Sequence, residues 1–279
     1  MAVINTLAYL NKIIDLSKEK TGEELLELHR EILCTPVKEY FPNASLEDLH
    51  FELLVQGLFH PSESEEIRGV VESLKAIEVW LTIQKEFERL KNLWKGPDVP
   101  VYIYPLTKER PYLEGFEVKK NGVAFNNVIF LFVTPELEEI ELKALFAHEY
   151  HHACRLSFLN KAHQEMELLD SLLIEGMAES AVEELYGETW LSPWTKWYSQ
   201  EEGVSLWRKY FVNHLRLEGV DRHQIFLFGN EEEGLPKWIG YCLGYQIVQS
   251  FLKQNGLIQQ QALYKIPSKE ILKNTEFHL

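Results

Sequence analysis

A mostly helical α+β fold follows from three features of this 279-residue sequence. Helical apolar periodicity runs from Asn5 to about Lys95, and helix dominates again from Thr134 to the C-terminus. Two runs rich in β-branched and aromatic residues, "VPVYIYPL" and "NNVIFLFV", lie between these stretches and read as strands. The segment "KGPDVP" separates the first helical stretch from the strands, because Gly96, Pro97 and Pro100 cannot continue a helix.

The first helices are justified by stripe and cap. "GEELLELHREIL" places Leu25, Leu28 and Ile32 on one face. "SLEDLHFELLVQGLF" opens with Ser45 three residues before Asp48, the spacing of a capping box. From Ser62 or Ser64 to Trp94, a stripe through Ile67, Val70, Val71, Leu74, Ile77, Leu81, Ile83 and Phe87 predicts one long helix. His29, His50 and His60 are expected on the surface of this part. Asn121-Gly122 is a hairpin signal, so a small antiparallel sheet is expected between Val99 and Val133. Thr134 as N-cap, with Pro135 at the first helical position, restarts helix. The change of texture divides the chain into a helical part, residues 1–96, and a second part, residues 97–279.

A chain with 46% hydrophobic residues can bury one sizeable core, with or without an appended subdomain. The formal charge of −15 argues against a nucleic-acid partner and against docking on an anionic membrane, both of which need clustered Lys and Arg. No window approaches the roughly 20 apolar residues of a membrane span. The opening "MAVINTLAYLNKIIDLSKEK" lacks the basic, apolar and small-residue regions of a secretory signal. Cys34, Cys154 and Cys242 lie far apart without a CxxC pair, which predicts free buried thiols and a cytoplasmic protein.

The chemistry is concentrated in "ALFAHEYHHACRL", residues 144–156. On a helix, His148 and His152 differ by roughly 40° in azimuth, so both imidazoles reach a single ion. Glu149 projects about 100° away, where a carboxylate can take a proton from attacking water. This is the physical reason for the His-Glu-x-x-His spacing of zinc peptidases. Leu142, Leu145 and Phe146 put the motif on a buried helix, where imidazoles need partners. His151 is read as a packing residue. Glu175, 23 residues after His152 on the strongly helical "LLDSLLIEGMAESAVEELYG", is the expected third ligand. Gly176 and Ala178 beside it allow a close helix approach. Glu179, one turn on, is the candidate carboxylate that orients a ligand histidine through its distal ring nitrogen.

"LPKWIGYCLGYQIVQSFLKQ" reads as another helix, with Gly240 and Gly244 as a close-packing face. Tyr241 or Tyr245 is a candidate to donate a hydrogen bond to a developing oxyanion, Tyr241 slightly favoured, with His223 as a fallback.

His-Glu-x-x-His followed after about two dozen residues by "EGMAES" resembles the gluzincin class of zinc metallopeptidases. "FAHEYHHACR", "IEGMAES" and "WIGYCLGYQIV" together resemble the bacterial predicted Zn-dependent proteases of the YjaZ type, over residues 97–279. The resemblance implies a zincin-like core with a small sheet over the motif helix. Together with the residues it predicts a zinc-dependent peptidase or amide hydrolase. His148, His152 and Glu175 would hold Zn2+, Glu149 would act as base, and a peptide or protein would be the substrate. The alternative is a non-hydrolytic, metal-stabilised module that binds a partner protein. The same two-His, one-carboxylate set also accommodates Fe(II).

Overall fold

The N-terminal helices form where periodicity places them. The computed structural model describes residues 2–109, 112–113, 116–256 and 258–278. Helices α1 (Leu7–Leu16), α2 (Gly22–Cys34) and α3 (Leu46–Val55) come first. Ser45 caps α3 in a reciprocal box, its hydroxyl accepting from Asp48 N at 3.0 Å while the Asp48 carboxylate accepts from Ser45 N at 3.1 Å.

The expected single long helix is broken. Helix α4 (Ile67–Ala76) ends at Ile77, and α5 (Val79–Trp94) begins after Glu78, whose φ is 53°. The break re-phases the apolar stripe. Ile67, Val71 and Leu74 bury on α4, but Val79, Ile83, Phe87 and Leu90 bury on α5. Ile77 and Leu81, which would face the core in an unbroken helix, are exposed.

Strands β1 (Val101–Pro105), β2 (Tyr112–Leu113), β3 (Phe116–Glu117), β4 (Lys120–Phe125) and β5 (Val128–Val133) follow. The main sheet has the order β1-β5-β4, and β2 pairs only with β3. The main sheet is mixed, which corrects the antiparallel expectation: β5 pairs antiparallel with β4 and parallel with β1. The reason lies in burial. Every residue of β1 and β5 is buried, so the sheet is covered on both faces, and a continuous run such as "VIFLFV" marks a central strand. Tyr102, Tyr104, Phe130 and Phe132 join the core that Leu10, Leu33, Leu53 and Phe59 build from the N-terminal helices.

The turn between β4 and β5 falls at Asn126–Asn127. Asn121 and Gly122 instead lie inside β4, opposite Phe132 and Leu131, which corrects the hairpin signal. Thr134 does not cap a helix either. Its N–H donates to Lys119 O at 3.1 Å and prolongs the sheet, and α6 (Glu139–Leu159) starts only after a turn at Pro135–Glu136.

The remaining helices are α7 (Leu168–Tyr186), α8 (Gln200–Leu206), α9 (Gln224–Phe228), α10 (Ile239–Asn255), α11 (Gln260–Leu263) and α12 (Ser268–Lys273). Helix α7 is buried over most of its length, with Asp170, Ser171, Glu179 and Ser180 among the buried residues. It packs on α10 backbone to backbone. A Cβ on Gly176 would collide with Gly244 O, and one on Gly244 with Leu172 O.

Two compact units result: residues 1–91 with 98–149, and residues 92–97 with 150–279. No helix among the described residues is long and apolar enough to cross a membrane.

Candidate metal centre

Helix α6 carries the motif, and each of its polar residues has a distinct setting. His148 and His152 stand one turn apart on it. Glu175 comes from α7, its Oε2 lying 3.5 Å from His152 Nε2. One ligand atom from each of His148, His152 and Glu175 lies within 4.8 Å of the others, and among the described residues no other trio of His, Cys, Asp or Glu gathers so. Donors around a tetrahedral ion with bonds near 2.1 Å sit about 3.4 Å apart, so the His152–Glu175 spacing is that of co-ligands. Two imidazoles and a carboxylate are a donor set that zinc accepts. His148 and Glu175 are only partly buried, whereas His152 is buried.

The family model described as "Predicted Zn-dependent protease (DUF2268)" matches residues 79–273. The chain belongs to that family. It is 38% identical to the uncharacterized protein YjaZ of Bacillus subtilis (strain 168) over 171 residues, 61% of this chain and 65% of that protein. It is 27% identical to the uncharacterized protein YjfC of the same organism over 172 residues, 56% of each chain. The chain therefore spans less than two thirds of the length of these curated relatives. No solved structure matches it significantly.

In this family member Glu149 is 5% exposed and lies against strand β4. A Cβ on Gly122 would sit 2.5 Å from Glu149 Cγ, 2.7 Å from Cδ and 2.6 Å from Oε1. Gly122 is therefore the residue that makes room for this carboxylate. In the sequence, Asn121-Gly122 carries the pattern of a turn. The available signal was the general one that glycine inside a strand marks a close approach.

The other motif residues build the helix into its surroundings. Tyr150 Oη donates to Pro97 O at 2.9 Å, and its ring stacks on Trp94. His151 is fully buried, edge-on to Trp94 and Tyr264, in keeping with a packing role. Arg155, also fully buried, donates to Tyr264 O at 2.6 Å, Ile266 O at 2.7 Å and Ser268 Oγ at 2.8 Å.

Glu179 is buried on α7, and its carboxylate accepts from Ser192 N at 3.0 Å and Ser192 Oγ at 2.6 Å. Ser192 was invisible to sequence reading, since a serine in a turn carries no long-range signal. Tyr245 Oη donates to Glu183 Oε2 at 2.8 Å, and burial raises its pKa well above the usual phenol value, with the neighbouring Glu183 adding to the shift. Tyr241 joins an aromatic cluster with Trp194, Phe228 and Trp238.

His223 is enclosed and has two hydrogen-bond partners. It is fully buried, with Nε2 2.7 Å from Leu217 O and Nδ1 2.8 Å from Ser171 Oγ. Nε2 must donate to the carbonyl, which leaves Nδ1 to accept from the serine. Its ring proton is committed, and the fallback oxyanion role falls away. His29 and His50, expected on the surface, are also buried, with Nδ1 of the first 2.8 Å from Nε2 of the second.

Proposed function

We propose that this chain is a zinc-dependent peptidase of the gluzincin type, with a zincin-like arrangement of sheet and motif helix. His148, His152 and Glu175 would hold the ion. The observation that carries this is the arrival of the Glu175 carboxylate, from a separate helix, at the His148–His152 pair. Family membership supports the same reading. Zinc in such a set supplies Lewis acidity, polarising a carbonyl and making water a nucleophile near neutral pH.

The chain's own residues supply the rest. Glu149, held beside the histidines by its packing against Gly122, accepts the proton of the attacking water at a carboxylate oxygen. It then delivers that proton to the leaving amine nitrogen. Its burial keeps the carboxylate in a single position, so little reorganisation is needed as the proton moves. Tyr241, or else Tyr245, whose hydroxyl donates to Glu183 in this structure, is the candidate to donate to the developing oxyanion. Glu179, one turn beyond Glu175 on α7, is the candidate carboxylate that orients a ligand histidine through its distal ring nitrogen. The partial exposure of His148 and Glu175 favours an open hydrolytic site over a sealed structural one. Three buried free thiols fit a reducing cytoplasm.

The deciding experiment is Glu149→Gln. Zinc content should stay at about one per chain, while peptide hydrolysis falls by roughly 10²–10⁴-fold. A Gln variant as active as the parent would refute the role of Glu149. His152→Ala should lose the zinc itself.

A further inference from the structure

We propose that Trp194, Phe228, Trp238 and Tyr241 form a subsite that seats a bulky apolar side chain of the peptide substrate beside the metal centre; this rests on the peptidase reading above. Two independent contacts tie the segments that carry these rings to α7, the helix of Glu175. Helix α10 touches α7 where Gly244 meets Gly176, the residue after Glu175. Tyr241 lies three residues before Gly244, about 4.5 Å along the helix axis. From the other direction, Ser192 is held by both carboxylate oxygens of Glu179, one turn beyond Glu175, and Trp194 follows two residues later. Cys242 Sγ, next to Tyr241, reaches Thr195 O at 3.5 Å and closes the triangle.

The rings are arranged for apolar contact. Trp194 and Trp238 stack with centroids 4.4 Å apart and planes at 8°. Tyr241 tilts against both, at 5.6 Å and 5.1 Å, and Phe228 meets Trp238 edge-on at 4.9 Å. A cation needs ring faces turned towards one point, but here the two indole faces are turned towards each other. An apolar or aromatic side chain gains from the same surface by leaving water. Phe228 remains 42% exposed, which leaves apolar ring surface open to a substrate side chain.

The cluster is also held rigid. Trp238 sits at φ 56° and ψ 16°, left-handed at the start of α10, a conformation that a bulky residue keeps only where its surroundings impose it. Its N–H donates to Phe228 O at 2.8 Å, and Tyr198 Oη braces the preceding carbonyl, Lys237 O, at 2.7 Å. Two of the four aromatics are thereby tied together through the backbone.

The test uses blocked tetrapeptides that differ only in carrying Phe, Ala or Lys at one position. They are titrated into the zinc-loaded full chain carrying Glu149→Gln, with tryptophan fluorescence and calorimetry as readouts. The Phe peptide should bind roughly 10–100-fold more tightly than the Ala peptide. Adding Phe228→Ala or Trp238→Ala should shrink that ratio to about 2-fold. Phe228 is exposed enough that its variant keeps the fold, so it decides the matter if the Trp238 variant does not. Equal binding of the Phe and Ala peptides, no binding of either, preference for Lys, or a ratio that survives both substitutions would overturn the subsite. If the binding preference holds but the wild-type chain fails to cleave the Phe peptide, the peptidase reading falls and the subsite stands.

Discussion

Gly122 shows how a residue without a side chain can set the position of a reactive one. Strand β4 passes so close to Glu149 that any Cβ at Gly122 would overlap the carboxylate arm. Gly122→Ala should therefore leave zinc content unchanged and lower kcat by about 10–100-fold, through displacement of the base. A variant with parental kcat, measured beside its metal content, would show that the carboxylate has slack. The histidines make the complementary point. Spacing separated His148 and His152 from His151, because positions four apart share a face. It carried no information on His29, His50 and His223, whose burial depends on which faces other helices cover.

At the scale of elements, the motif helix is anchored at its far end by Arg155. The guanidinium satisfies two backbone carbonyls and Ser268, and Ser268 Oγ in turn donates to Asp170 at 2.5 Å. Burial lowers the Arg155 pKa to about 10, with Asp170 opposing the shift, so the residue remains charged at neutral pH. Arg155→Ala should cost about 3 kcal/mol or more in a urea melt, since it strands buried acceptors. Lysine should restore little of this, because one ammonium cannot reproduce the fork. The α7–α10 contact is equally specific. Gly244→Ala should force the helices apart, cost about 1–3 kcal/mol and weaken zinc binding through Glu175, which isothermal titration with zinc would detect. Helix existence and the small-residue contact were legible in the sequence, whereas the α4–α5 break was not. Both phases of that stripe are apolar, and only the packing selects Val79 over Ile77.

For the whole molecule, stability should depend on acid and on metal. Burial, followed by the charges of Arg30 and His60, lowers the His50 pKa to about 4, and burial beside His50 holds His29 well below its usual value. Histidines depressed in the folded state bind protons more readily when the chain unfolds. Stability is therefore complete above about pH 6.5 and is lost as pH falls towards 4. Between pH 7 and pH 5 the parent should lose about 2 kcal/mol more than His50→Gln in denaturant melts. Equal losses would mean that the pair does not titrate with folding. Chelation should lower Tm, and zinc should restore it, while His152→Ala should respond to neither. The thiols add no comparable sensitivity, because burial raises Cys34 and Cys154 to about 12 and Cys242 to about 11.

Local order alone determined that the chain is mostly helical with a small sheet, that His148, Glu149 and His152 share one helix turn, and that Glu175 is a carboxylate with a close-packing neighbour. These follow from periodicity and spacing, which need no partner. Only the tertiary structure decided that β1 and β5 run parallel, that Gly122 lies against the base instead of in a turn, that Ser192 holds Glu179, and that four aromatics gather at the start of α10. Each of these depends on which distant backbone comes within a few ångströms, and such contacts are fixed by packing and not by any local pattern of residues.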